Sequence, residues 1–194
     1  MKVFLLRVAR ALCFASLLAS ASATEAFVPC DRLWSWLEYQ CTGLKESWRD
    51  GESDLYLTGW THHNRHTYTP EKIAEFNERA WGGGLGLSKY NDRGDAFGWY
   101  VLAFRDSHFK TTKMIGWSWR TFFPAHGDYA VGLGYTAFLG SRPDIYRGIP
   151  FPGILPLASI KLKRVELLGT YIPKVNPQTT GNGNVGFIFM RIHF

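Results

Sequence analysis

The chain has 194 residues, with 22 Lys and Arg against 16 Asp and Glu, a formal charge of +6. Three of those cations, Lys2, Arg7 and Arg10, lie in an opening stretch without acidic residues, so the remainder is only mildly basic, which argues against a nucleic-acid binder. No later stretch reaches 18 apolar residues, which excludes a transmembrane helix there, while 8 Trp, 9 Tyr, 14 Phe and 20 Gly suit rings at a water–lipid boundary and tight turns.

Residues 1–23 read as a signal peptide: a basic start, an apolar run from Ala11 to Ala19, and Ala21-Ser22-Ala23 before Thr24. The rest, 24–194, is expected to form a single domain. Cys13 belongs to the leader; Cys30 and Cys41 remain, in an oxidising compartment. Residues 31–48 predict an amphipathic helix with Asp31 as N-cap and Leu33, Trp34, Leu37, Cys41, Leu44 and Trp48 near one face. Such a face either lies in a membrane interface or packs on a core. If one helix ran through both cysteines, its rise of about 1.5 Å per residue would hold them roughly 16 Å apart. A disulfide needs under about 7 Å, so no bridge is expected within that helix.

From Asp54 onward the pattern is strand, turn, strand. Eight strands are predicted, at 54–67, 81–91, 96–107, 114–123, 129–139, 151–160, 164–173 and 184–194. Short connectors (91–95, 124–128, 161–163) alternate with longer ones (68–80, 108–113, 140–150, 174–183). That alternation and the even count predict an all-β fold: an eight-stranded antiparallel transmembrane β-barrel with an N-terminal amphipathic helix. The last strand separates an apolar face, Ile188, Met190, Ile192 and Phe194, from Phe187, Phe189, Arg191 and His193. Small residues share one face of strand two (Gly82, Gly84, Gly86, Ser88) and of strand five (Ala130, Gly132, Gly134, Thr136). If these faces point inward, they leave a dry cavity suited to a hydrocarbon chain. Pro152 and Pro156 interrupt strand six, and Pro173 ends strand seven. A ladder short of donors there is a candidate lateral door, with strand termination the simpler reading of Pro152.

Strands one and three both end at the outer rim, which brings Thr61-His-His-Asn-Arg-His66 near Arg105-Asp106-Ser107. Acyl transfer needs a base for a hydroxyl proton and a group to orient that base, and His, Asp and Ser are suitable types. Polar residues also crowd any barrel rim. A metal site is not expected: on an extended strand His62 and His66 lie about 13 Å apart. The glycines at 82–84 and 86 form no phosphate loop. No cofactor is called for.

The chain resembles the lipid A palmitoyltransferase family (PagP) of Gram-negative outer membranes. The resemblance rests on Asp54-Leu-Tyr56, Thr61-His-His-Asn-Arg65, Asn77-Glu-Arg-Ala-Trp-Gly-Gly-Gly84, Gly86-Leu-Ser88, Ala103-Phe-Arg-Asp-Ser107, Leu155-Pro-Leu-Ala-Ser159, Thr170-Tyr-Ile-Pro173 and Asn182-Gly-Asn-Val185. It implies an internal acyl pocket and transfer of a palmitoyl chain from the sn-1 position of a phospholipid donor to a hydroxyacyl chain of a lipid A acceptor. It places the catalytic positions at His63, Asp106 and Ser107, with His63 as general base and Asp106 orienting it. Ser107 is left as nucleophile or carbonyl polariser. The resemblance also implies the cell outer membrane as location, with the membrane and two lipids as partners; the sequence offers no reason for an oligomer, so a monomer is expected. The family's chain-measuring glycine corresponds to Ser118, on the same face as Met114 and Gly116; serine there predicts a shorter chain. The family's proline pair between strands six and seven is kept as Pro156 and Pro173, whereas its pair beside the first opening is Thr58 and Ala80 here. Two alternatives stay open: an outer-membrane phospholipase with water as acceptor, and a non-enzymatic structural or adhesive barrel.

Overall fold

The computed structural model describes residues 29–144, 146–174 and 183–194, so the leader expected at 1–23 lies outside the described residues. Eight antiparallel strands close into a barrel: β1 (Glu52–His63), β2 (Gly82–Tyr90), β3 (Ala96–Arg105), β4 (Thr111–Pro124), β5 (Tyr129–Ser141), β6 (Phe151–Leu162), β7 (Val165–Ile172) and β8 (Val185–His193). Each pairs with its chain neighbours, and β8 closes on β1. The last strand divides as expected, with Arg191 buried and Phe187 packed inside.

The wall's outward positions are apolar. Leu85, Val101, Ile115, Leu133, Ile154 and Leu167 are each about half exposed or more. A continuous apolar belt of this kind is poorly matched to water and well matched to lipid chains.

Two helices accompany the barrel, α1 (Ser35–Asp50) and α2 (Pro70–Ala74). Helix α1 lies against the outside of β3. Phe97 has outward parity yet is 1% exposed, because Tyr39 meets its ring edge-on at 5.3 Å. Trp99 Nε1 donates to the Leu44 carbonyl at 2.9 Å. Gly43 permits this approach: a Cβ there would stand 2.5 Å from the Phe97 ring. Asp31 does not cap the helix; the N-cap is Trp34, and Cys30–Arg32 forms a separate 3-10 turn. This corrects the cysteine expectation. Cys30 is outside the helix, the rise argument fails, and both Cys30 and Cys41 are disulfide-bonded.

The barrel interior divides along its length. Toward the short-turn rim it holds Asp54, Arg120, Glu166 and Arg191, each 1% exposed. Arg191 pairs with Glu166 at 2.7 Å and Asp54 at 3.2 Å, and Arg120 pairs with Glu166 at 3.0 Å. Two cations against two anions neutralise one another, which is what burial of charge requires. Toward the long-loop rim the interior is apolar: Tyr56, Tyr100 and Leu102 pack with Phe104, Met114, Phe138 and Phe189. The small-residue faces do point inward, and rings partly cover them. A Cβ on Gly86 would meet the Tyr56 ring at 2.8 Å.

Two lateral interruptions were expected, and they differ. The β6–β7 ladder ends at Leu157 and Thr170, so the Phe151–Pro156 part of β6 has no β7 partner in the register. Thr170 Oγ1 donates to the Pro156 carbonyl at 2.7 Å where the strands part. The β1–β2 ladder ends at Thr58 and Gly82. There, however, Thr58 Oγ1 donates to the Ala80 carbonyl at 2.6 Å, and Thr61 N donates to the Glu78 carbonyl at 2.9 Å. The Thr58 hydroxyl thus supplies a donor that stitches the first opening.

Candidate active site

One inserted residue decides which histidine enters the barrel. The β1–β8 register shifts between Thr58 and Trp60. Strict alternation from Asp54, Tyr56 and Thr58 would carry Trp60 and His62 inward. The bulge moves the inward set to Thr61 and His63 instead. His63 is 2% exposed, while Trp60 and His62 face outward. The strand then stops at His63, four residues short of the expected end. The Asn64 carbonyl accepts from Thr67 N, and its side chain accepts from His66 N, folding 64–67 into a turn. The expected 13 Å separation of His62 and His66 therefore does not apply.

The carboxylate on His63 is Glu78. Its Oε1 lies 3.2 Å from Nδ1 and accepts from the His63 backbone N–H at 3.1 Å. With Nδ1–H given to a carboxylate, Nε2 is the nitrogen that takes a proton. Phe76 stacks on the imidazole at 4.3 Å, and Tyr68 meets it edge-on at 5.8 Å. Arg65 clamps Glu78 from outside through two 2.8 Å bonds. Those bonds lead the causes that hold the Glu78 carboxyl down to about 2, and the His63 contacts add to them.

Asp106 is engaged elsewhere. Its Oδ1 accepts from the backbone N–H groups of His108 and Lys110, each at 2.9 Å, and its Oδ2 meets Arg142 at 3.0 Å. Asp106 thus shapes the turn that carries Ser107. The segment before β2 brings that turn toward His63. Asn77 N donates to the Ser107 carbonyl at 2.8 Å, and Asn77 Nδ2 donates to the Asp106 carbonyl at 3.2 Å. The next residue, Glu78, holds His63. Adjacent residues Asn77 and Glu78 therefore tie the two rim segments together. Both stand in a motif quoted from the sequence, but neither was given a role, because no spacing rule points from a loop carboxylate to a histidine fifteen residues earlier. Ligand atoms of Asp106, His108 and Asp144 lie within 4.8 Å of one another. Arg142 already serves that cluster, reaching Asp144 at 2.8 Å and His108 at 3.2 Å.

Three of the expected chain-binding residues, Met114, Gly116 and Ser118, share the inward face of β4. Met114 packs on the apolar cluster, and Gly116 lies beneath the Tyr100 hydroxyl, which would stand 2.7 Å from an added Cβ. Tyr100 and Thr136 share a 2.6 Å hydrogen bond across the interior. Ser118, paired in register with Thr136, accepts from Arg120 Nη1 at 2.9 Å. Ser118 thus caps the ionic layer at the foot of the apolar section. Pro156 sits where β6 and β7 separate, and Pro173 follows the end of β7.

A closed barrel with an apolar belt, an apolar upper interior and a buried imidazole held by a carboxylate at one rim defines a β-barrel enzyme built for lipid chemistry. Residues 43–191 match the family described as "Antimicrobial peptide resistance and lipid A acylation protein PagP". The chain is 45% identical over 185 residues to the lipid A acyltransferase PagP of Bordetella parapertussis, covering 95% of this chain and 97% of that one. It is 39% identical over 165 residues to the Methylobacillus flagellatus enzyme of that name, covering 85% of this chain and 88% of the relative. A Legionella pneumophila counterpart is 38% identical over 174 residues, covering 90% and 91%. The chain belongs to the PagP family of lipid A acyltransferases.

Proposed function

We propose that the protein spans the outer membrane as a monomer and moves a palmitoyl chain, or one of similar length, from the sn-1 ester of a phospholipid to a hydroxyacyl chain of lipid A. The observation that carries this reading is His63, buried beneath the long-loop rim with Glu78 on Nδ1, above an apolar interior. In the proposed step His63 Nε2 takes the proton of the lipid A hydroxyl. The hydroxyl oxygen bonds to the phospholipid's ester carbon while Ser107 Oγ–H donates to the developing oxyanion. The bond from that carbon to the glycerol oxygen then breaks. The proton on His63 passes to the glycerol oxygen, leaving a lysophospholipid and an acylated lipid A.

Glu78 takes the orienting role that sequence reasoning gave to Asp106, and Asp106 positions Ser107 through its turn. The donor chain enters the apolar interior, with the unpaired part of β6 as its lateral route and the Ser118–Arg120 layer as its floor. The test follows both products by mass spectrometry in vesicles holding phospholipid and lipid A. Acylated lipid A with equimolar lysophospholipid supports the transferase. Lysophospholipid with free fatty acid and unmodified lipid A would make it a phospholipase.

A further inference from the structure

The outward side of the same rim carries a second polar site. His62 on β1, Gly186 on β8 and Tyr171 on β7 lie side by side in register and share outward parity. Gly186, lacking a side chain, leaves a notch between the other two. A cleft of about 300 Å³ occupies it, with Asn64, Arg65, His66 and Asn184 completing the lining. That volume is at the low end for ligand sites and suits one headgroup unit.

The lining has one chemical sense. No carboxylate lines the cleft among the described residues, and its ionisable side chains include the three bases His62, Arg65 and His66. Arg65 spends two donors on Glu78 and remains 44% exposed, so further N–H groups face outward. Tyr171, 45% exposed, and Asn184 are joined by a 2.9 Å hydrogen bond, which sets a phenol ring and an amide on the far wall. Bases on one side and neutral hydrogen-bonding groups on the other match a phosphorylated sugar. A phospholipid's phosphodiester carries a single negative charge, against nearly two on a phosphomonoester, and answers three bases less well. The site also meets the catalytic pair, since Arg65 bridges from the cleft to Glu78, the partner of His63.

We propose that this cleft binds a sugar phosphomonoester of the lipid A acceptor, fixing its headgroup on the lipid side of the wall that carries His63. The proposal rests on the reading of lipid A as acceptor and adds a recognition site to it.

The test measures KM and kcat of the full-length protein with each lipid varied in turn. It uses phosphorylated lipid A, enzymatically dephosphorylated lipid A, the His62→Ala/His66→Ala variant and, separately, Gly186→Val. The Gly186→Val change narrows the notch, and an added Cβ there stands 3.9 Å from its nearest neighbour, on His62. Each variant is expected to raise KM for phosphorylated lipid A about ten-fold, the scale of lost hydrogen bonds to a charged group, with kcat and the phospholipid KM unchanged. With dephosphorylated lipid A, wild type and variants should have equal KM. An unchanged KM for phosphorylated lipid A in both variants overturns the proposal, as does a rise confined to the phospholipid. Wild-type protein that leaves lipid A unmodified overturns the acceptor reading itself, and the cleft's assignment with it.

Discussion

Replacing Glu78 with Gln tests how the base is held. The change keeps the shape and an oxygen that accepts from His63 Nδ1–H, but it removes the charge. The His63 side chain is 3% exposed, so a charged imidazolium formed during turnover has little water to stabilise it. A charged hydrogen bond contributes about 1.5–3 kcal/mol, which converts to roughly a ten- to hundred-fold fall in kcat. Folding should be spared, because the Arg65–Glu78 pair lost with it is partly exposed, and such pairs contribute about 0–1 kcal/mol. The assay is acyl transfer at saturating lipids, with heat-modifiable gel mobility confirming a folded barrel. The pH profile adds a second arm. Folded Glu78 titrates at about 2 against an ordinary 4.5, so its contribution to stability is complete above pH 4.5 and is lost as pH falls toward 2. Any acid limb of activity above pH 4.5 therefore belongs to another group and persists in Glu78→Gln. Wild-type turnover by Glu78→Gln, with a hundred-fold loss in Asp106→Asn, would refute this arrangement.

Three further outcomes follow from the interior and the wall. Ser118→Gly removes the hydroxyl that caps the ionic layer and is expected to shift the transferred chain toward greater length, read by mass spectrometry of the product. Thr58→Val unstitches β1 from the segment before β2, and the Ala80 carbonyl it leaves unpaired should cost about 1–3 kcal/mol in reversible denaturant unfolding. Glu166→Gln leaves Arg120 and Arg191 facing each other with half their compensation, and should destabilise the barrel by about 3–5 kcal/mol in the same assay.

The fold was legible because its signals were local. Alternation in the last strand, glycines sharing one face, and short turns alternating with long loops each need only neighbouring residues to be read. The Arg120–Glu166–Arg191–Asp54 layer was not, because its members come from four strands and no local pattern pairs them. The site was half legible. His63 came from the family resemblance, while the reason it faces inward is the bulge after Thr58, which alternation alone would have read as favouring His62. Glu78 stood in a quoted motif without a role, since only the folded loop brings it to the imidazole. The cysteine inference failed at its premise: the helix begins after Cys30, in a stretch where Asp31 looked like a cap.

The most direct test of the central claim is mass spectrometry of lipid A from a host lacking this activity, expressing either the wild-type protein or His63→Ala. One added acyl chain with the wild type, absent with a folded His63→Ala barrel, is the predicted result. Unmodified lipid A with wild-type protein folded in the outer membrane, or an equal gain of mass with both proteins, would contradict it.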